Sequence, residues 1–544
     1  SNGGNFRNRD SRHGDVVNSK PWHVAGKAGA GYTANGYAAF RATSTSRPSM
    51  LYVGANDGML HGFSVASGKE KLAYVPLAVY EGLSQLTQPG YAHRYFVDGS
   101  PFAGDVFVAG SWKTYLAGFM GAGGKGYFVL DVTDPSAFVA GNAGNIVVLD
   151  QSASAGTSTD TDMGYIFSEP VREQGDTAVT RQIAQLNDGR WALVTGNGYN
   201  SARENAVLLV QYLDGARELR KIYATTENGL TGNGLSAPRL VDLNGDNVPD
   251  VAYAGDLLGN LWKFDLSASA PSEWKTAFNG APLYSATSAA TASVQGRPQP
   301  ITSAPVWLPH PKGGVMVVFG TGANLTDADR TDASVQTVYG VYDNTVVTRS
   351  AGKLALTGGS VLTVGRGALV QQTIGSIATA VTAASASEPG STSPLWAVSS
   401  NPVDYAGLPP KRGWYIDLPP GERVLGNLTW FDGQLIDVAS TVPAAGPDIT
   451  RETCSPNITG ARHFLTTINA INGSAPKSDI YAYAGTVSTT GAAGVASRSE
   501  TGVRSSIRDS ATNTEKAICS AGQICTDRKL LARTALRPSW RQMQ

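Results

Sequence analysis

The chain has 544 residues, and 43 lysines and arginines balance 43 aspartates and glutamates, which leaves no formal net charge at pH 7. Charged residues are only 16% of the sequence, which excludes the strongly basic surface of a typical nucleic-acid-binding domain. The 63 glycines and 28 prolines favour an all-β fold, in which turns join many short strands.

No run of 18 apolar residues occurs, so the sequence predicts no transmembrane segment in this chain. The chain begins at Ser1 without a signal-peptide pattern, and we therefore expect a processed product or part of a longer protein. Its three cysteines are compatible with one disulfide bond in an oxidising compartment. The spacing of Cys454, Cys519 and Cys525 leaves open which two of them pair.

Residues 1–48 are polar and glycine-rich, and we predict that this N-terminal extension packs on, or leads into, a domain spanning residues 49–544. Residues 51–65 form a predicted strand, an Asn-Asp-Gly turn and a second strand, which is the pattern of a β-hairpin. Similar units recur at Tyr115 to Asp131, Ala192 to Tyr212, Val251 to Leu266, Val315 to Tyr342, Gly413 to Val438 and His463 to Tyr483.

These seven units predict a seven-bladed β-propeller. A compact blade needs only about 40–50 residues, so the remaining residues are expected in loops on the faces of the disc. Two long insertions are predicted near residues 345–412 and 486–528, because alanine, serine, threonine and glycine dominate there and aromatic residues are few.

The stretch from Asp242 to Asp250 has the ligand order of a calcium loop. Oxygen-bearing side chains occupy relative positions 1, 3, 5 and 9, and the residue at position 7 offers its backbone carbonyl. Three carboxylates directed at one point would repel each other without a cation. The predicted calcium ligands are Asp242, Asn244, Asp246, the Val248 carbonyl and Asp250.

The loop is not a complete EF-hand, because position 6 is Asn247 and position 12 is Tyr253 in place of the bidentate glutamate. The residues on either side have the pattern of strands, so we expect the loop to connect two strands of a β protein. The alternative is a polar Asx-turn that binds no ion.

Other motifs favour structural roles. Residues 121–126 are glycine-rich but precede a predicted strand, which favours a turn over a phosphate-binding loop. Residues 327–332 carry three aspartates without the later ligands of a calcium loop, which favours a solvated loop. The histidines at 13, 23, 61, 93, 310 and 463 lack the spacing of a zinc hydrolase, so each is interpreted as structural. No motif nominates a nucleophile with its base, and the chain is predicted not to be an enzyme.

Together, five strings resemble the C-terminal domain of the PilC/PilY family of type IV pilus tip-associated adhesins and biogenesis factors. The resemblance covers nearly the whole chain, and the strings occur in the family's order. They lie at residues 52–61, 93–101, 162–170, 242–250 and 539–542.

The resemblance implies a modified seven-bladed β-propeller akin to quinoprotein folds, exported to the bacterial cell surface, the type IV pilus and the outer membrane. It implies that calcium in the Asp242–Asp250 loop governs pilus extension against retraction, and with it twitching motility. The implied partners are pilin, minor pilins and host-cell receptors or surfaces. We expect the family's signal peptide and N-terminal region to lie outside this chain.

Two other functions remain open. A pyrroloquinoline-quinone dehydrogenase would share the hairpins and the calcium, but its vicinal cysteine pair is missing, because the closest cysteines are Cys519 and Cys525. A propeller that binds host glycans or proteins is also compatible with the sequence and with a role in pilus biogenesis.

Overall fold

The computed structural model describes residues 6–9, 11–25, 31–153, 160–173, 176, 178–225, 232–289, 296–350, 353–363, 365–382, 391–444, 461–477, 486–489, 497–500, 505–509, 513–518 and 527–532. Strands predominate in these ranges. The α-helices are Tyr37–Ser44, Ala143–Ile146 and Asp327–Thr331. The 3₁₀ helices are Leu77–Thr87, Gly121–Gly123, Pro135–Ala137, Ala140–Asn142, Pro271–Glu273, Phe278–Gly280 and Gly365–Ala368. None of the helices in these ranges has the length and apolar character needed to cross a membrane.

The first four sheets are antiparallel meanders of consecutive strands, which is the unit of a β-propeller. The first sheet contains Trp22–Val24, Met50–Gly54, Leu60–Ser64 and Glu70–Tyr74. The second contains Phe102–Val108, Ser111–Phe119, Tyr127–Asp131 and Val147–Asp150. The third contains Ile183–Gln185, Trp191–Gly196, Val207–Tyr212 and Leu219–Tyr223. The fourth contains Arg239–Val241, Val251–Gly255, Asn260–Asp265 and Lys275–Thr276, with Tyr284–Ser285 also paired to its third strand.

The later sheets are less regular. The fifth contains Val306–Pro309, Val315–Gly320, Thr337–Asp343, Gly413–Asp417 and, in parallel, Val370–Gln372. The sixth contains Thr429–Asp432, Leu435–Val442, Arg462–Asn469, Arg498–Glu500, Ser391–Val398, Ile374–Thr382 and Thr486–Thr489. A hairpin pairs Val346–Ser350 with Lys353–Thr357, and a three-stranded sheet joins Ser505–Asp509, Asn513–Ile518 and Asp527–Ala532.

The central strands are buried on both faces, because each sheet packs between its neighbours. All six residues of Val207–Tyr212 are buried, as are all six of Val315–Gly320. These strands are rich in valine, leucine and aromatic residues, which suit a pleated surface packed on both sides. The hydrophobic core therefore lies between successive sheets.

The five hairpin units predicted between residues 51 and 342 are confirmed. The unit predicted from Gly413 to Val438 is wrong. Strand Gly413–Asp417 pairs with Thr337–Asp343 in the fifth sheet, whereas Leu435–Val442 belongs to the sixth. Strand Arg462–Asn469 opens the predicted unit from His463 to Tyr483 and pairs with Leu435–Val442. Residues 478–485 lie outside the described ranges, so the rest of this unit stays a prediction. Within those ranges six sheets have four or more strands, so a count of seven blades stays a prediction.

The N-terminal segment and the first predicted insertion both contribute strands to the sheets. Trp22–Val24 forms the outer strand of the first sheet, so part of the 1–48 segment pairs with the following domain. The predicted insertion near 345–412 supplies strands to both the fifth and the sixth sheets. Cys454, Cys519, Cys525 and the terminal string 539–542 lie outside the described residues.

Candidate metal site

The Asp242–Asp250 loop closes an antiparallel hairpin of the fourth sheet. Strand Arg239–Val241 enters the loop and Val251–Gly255 leaves it, with Val241 opposite Val251. The backbone of Asp250 bonds on both sides, since its N–H donates to the Val241 carbonyl at 2.9 Å and its carbonyl accepts from the Leu266 N–H at 2.9 Å. The predicted strand–loop–strand arrangement is thus confirmed, and the last loop residue is held by the sheet.

Asp242 curls the loop around its own carboxylate. Its Oδ1 accepts from the backbone N–H groups of Gly245 at 2.6 Å and Asn244 at 3.2 Å, and its Oδ2 accepts from that of Asn247 at 2.7 Å. Gly245 and Asn247 have φ angles of 84° and 68°, in the left-handed region that glycine and asparagine tolerate. These left-handed conformations allow the backbone to curl around the Asp242 carboxylate.

Asp242, Asn244 and Asp250 converge in the structure. The Asn244 Nδ2 donates to Oδ1 of Asp250 at 3.3 Å, and the Leu243 N–H donates to Oδ2 of Asp250 at 2.8 Å. Asp246 is exposed, and its Oδ1 accepts from the Val248 N–H at 2.9 Å. The loop carboxylates of Asp242, Asp246 and Asp250 do not all approach within 4.8 Å of one another.

Burial and nearby negative charges disfavour the charged forms of the two inner carboxylates. Asp250 is fully buried, and this burial, together with the charges of Asp242 and Asp246, raises the pKa of Asp250 to about 7. Burial, with the nearby charge of Asp246, also raises the pKa of Asp242, although backbone N–H groups and Arg181 oppose the shift. A cation among these oxygens would favour their charged forms.

The donor chemistry of the loop fits calcium. Three carboxylates, one amide oxygen and one backbone carbonyl are hard oxygen donors, and calcium takes six to eight of them at about 2.3–2.6 Å. Asp246 is the one carboxylate that would need to turn inward. Because it is exposed and lies on the outer part of the loop, that movement displaces no packed core residue.

The third sheet supports the loop from one side. The Asn187 Nδ2 donates to the carbonyls of Pro249 and Leu266, both at 3.0 Å, and an Arg181 N–H reaches the Asn247 carbonyl at 3.4 Å. A cavity of about 350 Å³ lies beside the loop and is lined by residues of the third and fourth sheets and by Asp246, Val248 and Leu354. The loop therefore contacts more than its own hairpin.

The other acidic and glycine-rich motifs have structural explanations. Residues 121–123 form a 3₁₀ turn before strand Tyr127–Asp131, as expected for a glycine turn. Asp327–Thr331 is a short helix rather than an open loop, because Thr326 and Asp329 form a capping box at its start.

One cluster was missed by the sequence analysis. His13, Asp57 and His61 each place one ligand atom within 4.8 Å of the others. The available signal was the four-residue spacing of Asp57 and His61, but the contribution of His13 depends on the fold.

Comparison with known proteins assigns the chain to a family. The family model described as the PilY1 beta-propeller domain matches residues 13–387. The type IV pilus biogenesis factor PilY1 of Pseudomonas aeruginosa is 38% identical over 481 residues, which cover 82% of this chain and 38% of that protein. A Xylella fastidiosa protein named as a homolog of that factor is 33% identical over 501 residues, covering 86% of this chain and 30% of the relative.

A solved structure supports the same family and shows the same fold. The crystal structure of the Pseudomonas aeruginosa PilY1 C-terminal domain superposes with a TM-score of 0.70 at 32% identity, covering 94% of this chain and 99% of that one. The all-β propeller prediction is thereby confirmed. The chain spans less than two fifths of the length of the Pseudomonas relative, at 38%. It belongs to the family of the PilY1 β-propeller domain, as the five sequence strings had indicated.

Proposed function

We propose that this chain is a noncatalytic, calcium-responsive component of type IV pilus biogenesis, and that the Asp242–Asp250 loop is its sensor. The observation that carries the proposal is the fully buried Asp250 carboxylate, whose pKa is raised to about 7 by burial and by the charges of Asp242 and Asp246. Such a group is costly when charged and alone. A divalent cation removes that cost, so the loop has two states that differ in stability.

The calcium ligands would be the side-chain oxygens of Asp242, Asn244, Asp246 and Asp250 and the Val248 carbonyl, with water completing the shell. The ion supplies positive charge beside Asp250, whereas the one cationic side chain described at the loop, Arg181, bonds to the Asn247 carbonyl and acts on Asp242. Asn244 would turn its amide oxygen inward, because its nitrogen now donates to Asp250. Asp246 would move from solvent towards the ion.

Calcium binding in the loop can affect the rest of the propeller through two sets of hydrogen bonds. Asn187 of the third-sheet hairpin is bonded to the Pro249 carbonyl beside the last loop ligand. In the next strand, the Tyr253 hydroxyl donates to Asp343 of the fifth sheet at 2.7 Å. A ligand shifts a conformational equilibrium only when it binds one conformation more tightly than the other. These hydrogen bonds connect the loop to both neighbouring sheets, so the preferred conformation of the loop can influence them.

The pilus role rests on family membership. The relatives are named as type IV pilus biogenesis factors. For this chain we propose that calcium controls pilus extension against retraction, twitching motility and surface adhesion, as part of a cell-surface, outer-membrane-associated pilus assembly. Pilin and minor pilins are the proposed partners, with host receptors or surfaces as ligands. A seven-bladed arrangement belongs to the same proposal.

The test compares Asp246→Ala with Asp327→Ala. Both residues are exposed aspartates, but only Asp246 belongs to the loop, and the Asp327 side chain is 95% exposed. Calorimetry of the wild-type chain should show one calcium with a dissociation constant of roughly micromolar magnitude, and magnesium should compete poorly. Asp246→Ala should lose this binding, whereas Asp327→Ala should retain it.

In cells that carry each variant in the full-length protein, the twitching-zone diameter should shrink for Asp246→Ala alone. Loss of calcium binding with normal twitching would separate the ion from the pilus function and refute the regulatory part of the proposal. Equal affinity of the wild-type chain for magnesium would refute the calcium assignment itself.

A further inference from the structure

His13, Asp57 and His61 form a compact polar cluster on the first sheet, away from the calcium loop. Nε2 of His61 lies 3.1 Å and 3.2 Å from the two carboxylate oxygens of Asp57. The rings of His13 and His61 meet edge to face with centroids 5.2 Å apart. Asp57 and His61 are 4% and 2% exposed, whereas His13 is exposed to solvent.

The orientation of His61 is set from its other side. Its Nδ1 is hydrogen-bonded to the carboxylate of Glu70 on the neighbouring strand. In metal sites a carboxylate commonly accepts the N–H of a ligating histidine, which fixes the tautomer and makes the other nitrogen a better donor. Glu70 leaves Nε2 of His61 directed at Asp57.

His13 is held against this turn by its neighbours in sequence. The Gly14 N–H donates to Oδ2 of Asp57 at 2.7 Å, and the Asn56 N–H donates to the Asp15 carbonyl at 3.0 Å. A Cβ on Gly14 would lie 2.3 Å from the backbone nitrogen of Asp57, so only glycine allows the two segments to approach this closely. The place of His13 beside Asp57 is therefore built into the fold.

We propose that His13, Asp57 and His61 bind a divalent transition-metal ion of the zinc type. Two imidazole nitrogens and one carboxylate oxygen are a usual protein donor set for such ions, which prefer nitrogen ligands more than calcium does. Two ligands about 2.0–2.1 Å from one tetrahedral ion lie roughly 3.3 Å apart. The separation of Asp57 and His61 is close to that value, and the exposure of His13 leaves the fourth position to water.

The ion would join the N-terminal segment to the first hairpin. Residues 13–15 and the turn at 56–58 are far apart in sequence, and the metal would add a further connection to the three hydrogen bonds between them. This inference is independent of the calcium proposal. The competing arrangement is a protonated His61 that bridges Asp57 and Glu70 and binds no metal.

The test is zinc titration of the metal-stripped wild-type chain by calorimetry at pH 7.5, with cobalt as a spectroscopic substitute. We expect one zinc site and a cobalt visible spectrum typical of four-coordinate nitrogen and oxygen ligation. His13→Ala should weaken zinc binding at least tenfold, and Glu70→Gln should weaken it about 10- to 100-fold by losing the orientation of His61. Both substituted residues have exposed or half-exposed side chains, so the chain should fold.

Two controls separate this site from others. His23→Ala removes an exposed histidine of the first sheet outside the cluster, and Asp246→Ala disables the calcium loop. Both should bind zinc with wild-type affinity. Absence of zinc binding would overturn the proposal. Unchanged binding in His13→Ala and Glu70→Gln, or a strong cobalt–thiolate band, would overturn it by placing the ion elsewhere.

Discussion

Oδ2 of Asp250 accepts a hydrogen bond of 2.8 Å from the backbone N–H of Leu243, which ties the buried last residue of the loop to its second residue. The Leu243 N–H and the Asn244 amide both donate to this carboxylate, while the charges of Asp242 and Asp246 disfavour its charged form. The two hydrogen bonds do not offset burial, and the pKa of Asp250 is raised to about 7. Burial and the neighbouring charges therefore outweigh the hydrogen bonds that favour the charged form of Asp250.

The first prediction concerns stability without calcium. Asp250 binds its proton more tightly in the folded chain, where its pKa is about 7, than in the unfolded chain, where it is close to 3.8. Its contribution to stability is therefore present below about pH 4 and is lost as pH rises through 7. Between pH 5 and pH 8, the free energy of unfolding of the wild-type chain should fall relative to Asp250→Asn by up to about 3 kcal/mol.

The measurement is denaturant unfolding of both chains in excess calcium chelator. Asparagine keeps an acceptor for the Leu243 N–H but does not titrate, which makes Asp250→Asn the matched reference. Parallel pH dependences of the two chains would show that Asp250 is already charged and stable in the ion-free loop.

The second prediction concerns calcium affinity. Protons compete with calcium for Asp250, so the dissociation constant should rise as pH falls below about 7, by up to about tenfold per pH unit. Calorimetry at pH 6.0 and pH 7.5 measures this change. An affinity that is constant over this range would mean that Asp250 is not a calcium ligand.

Much of the fold could be predicted from the sequence because most blades are local. The hairpins of the first four sheets are formed by neighbouring strands, and turns such as Asn56-Asp57-Gly58 mark their ends. The unit from Gly413 to Val438 was misassigned because strand Gly413–Asp417 pairs with Thr337–Asp343 across an insertion of many residues. Spacing along the sequence carries no information about such a pairing.

The two candidate sites also differ in how much of each can be predicted from the sequence. The Asp242–Asp250 loop is contiguous, so its ligand order was visible in the sequence, but the burial of Asp250 and the exposure of Asp246 were not. The cluster of His13 with Asp57 and His61 needs the N-terminal segment to lie on the first hairpin. The sequence therefore shows only the four-residue spacing of Asp57 and His61, and not the contribution of His13.

The third prediction tests the connection between the fourth and fifth sheets. Lys263 and Asp343 form an ion pair of 2.7 Å whose side chains are 1% and 0% exposed. Asp343→Asn leaves the ammonium group buried without a charged partner and should destabilise the chain by about 3–5 kcal/mol. Lys113→Met, which breaks the partly exposed pair of Lys113 and Asp131, should cost less than about 1 kcal/mol. Thermal unfolding measures the loss of stability in both variants. Equal losses would show that the buried pair contributes no more to stability than the partly exposed pair.

The fourth prediction tests the sixth sheet. Arg498 makes a bidentate pair with Glu422 at 2.6 Å and 2.8 Å, and both side chains are at most 1% exposed. Arg462 pairs with Glu500 at 2.8 Å but is 53% exposed, and both arginines lie over the ring of Phe464.

Arg498→Lys should destabilise the chain by about 3 kcal/mol, because lysine cannot reproduce the planar bidentate contact in a buried site. Arg462→Lys should cost less than about 1 kcal/mol, because its pair is solvated. Chemical unfolding of the two variants provides the comparison. A near-neutral Arg498→Lys would show that a single buried ammonium contact is sufficient for this sheet.

The last prediction separates pilus assembly from pilus retraction. If the ion-free loop releases the propeller from a state that opposes retraction, cells with Asp246→Ala should assemble pili but withdraw them, and surface pilin should be low. Asp246 is suited to this test because it is exposed, whereas replacement of the buried Asp250 also alters packing. Deleting the retraction motor in the same cells should restore surface pilin to the level of the motor-deleted parent. Surface pilin that stays low after this deletion would place the defect in assembly, and the calcium loop would then act before extension rather than against retraction.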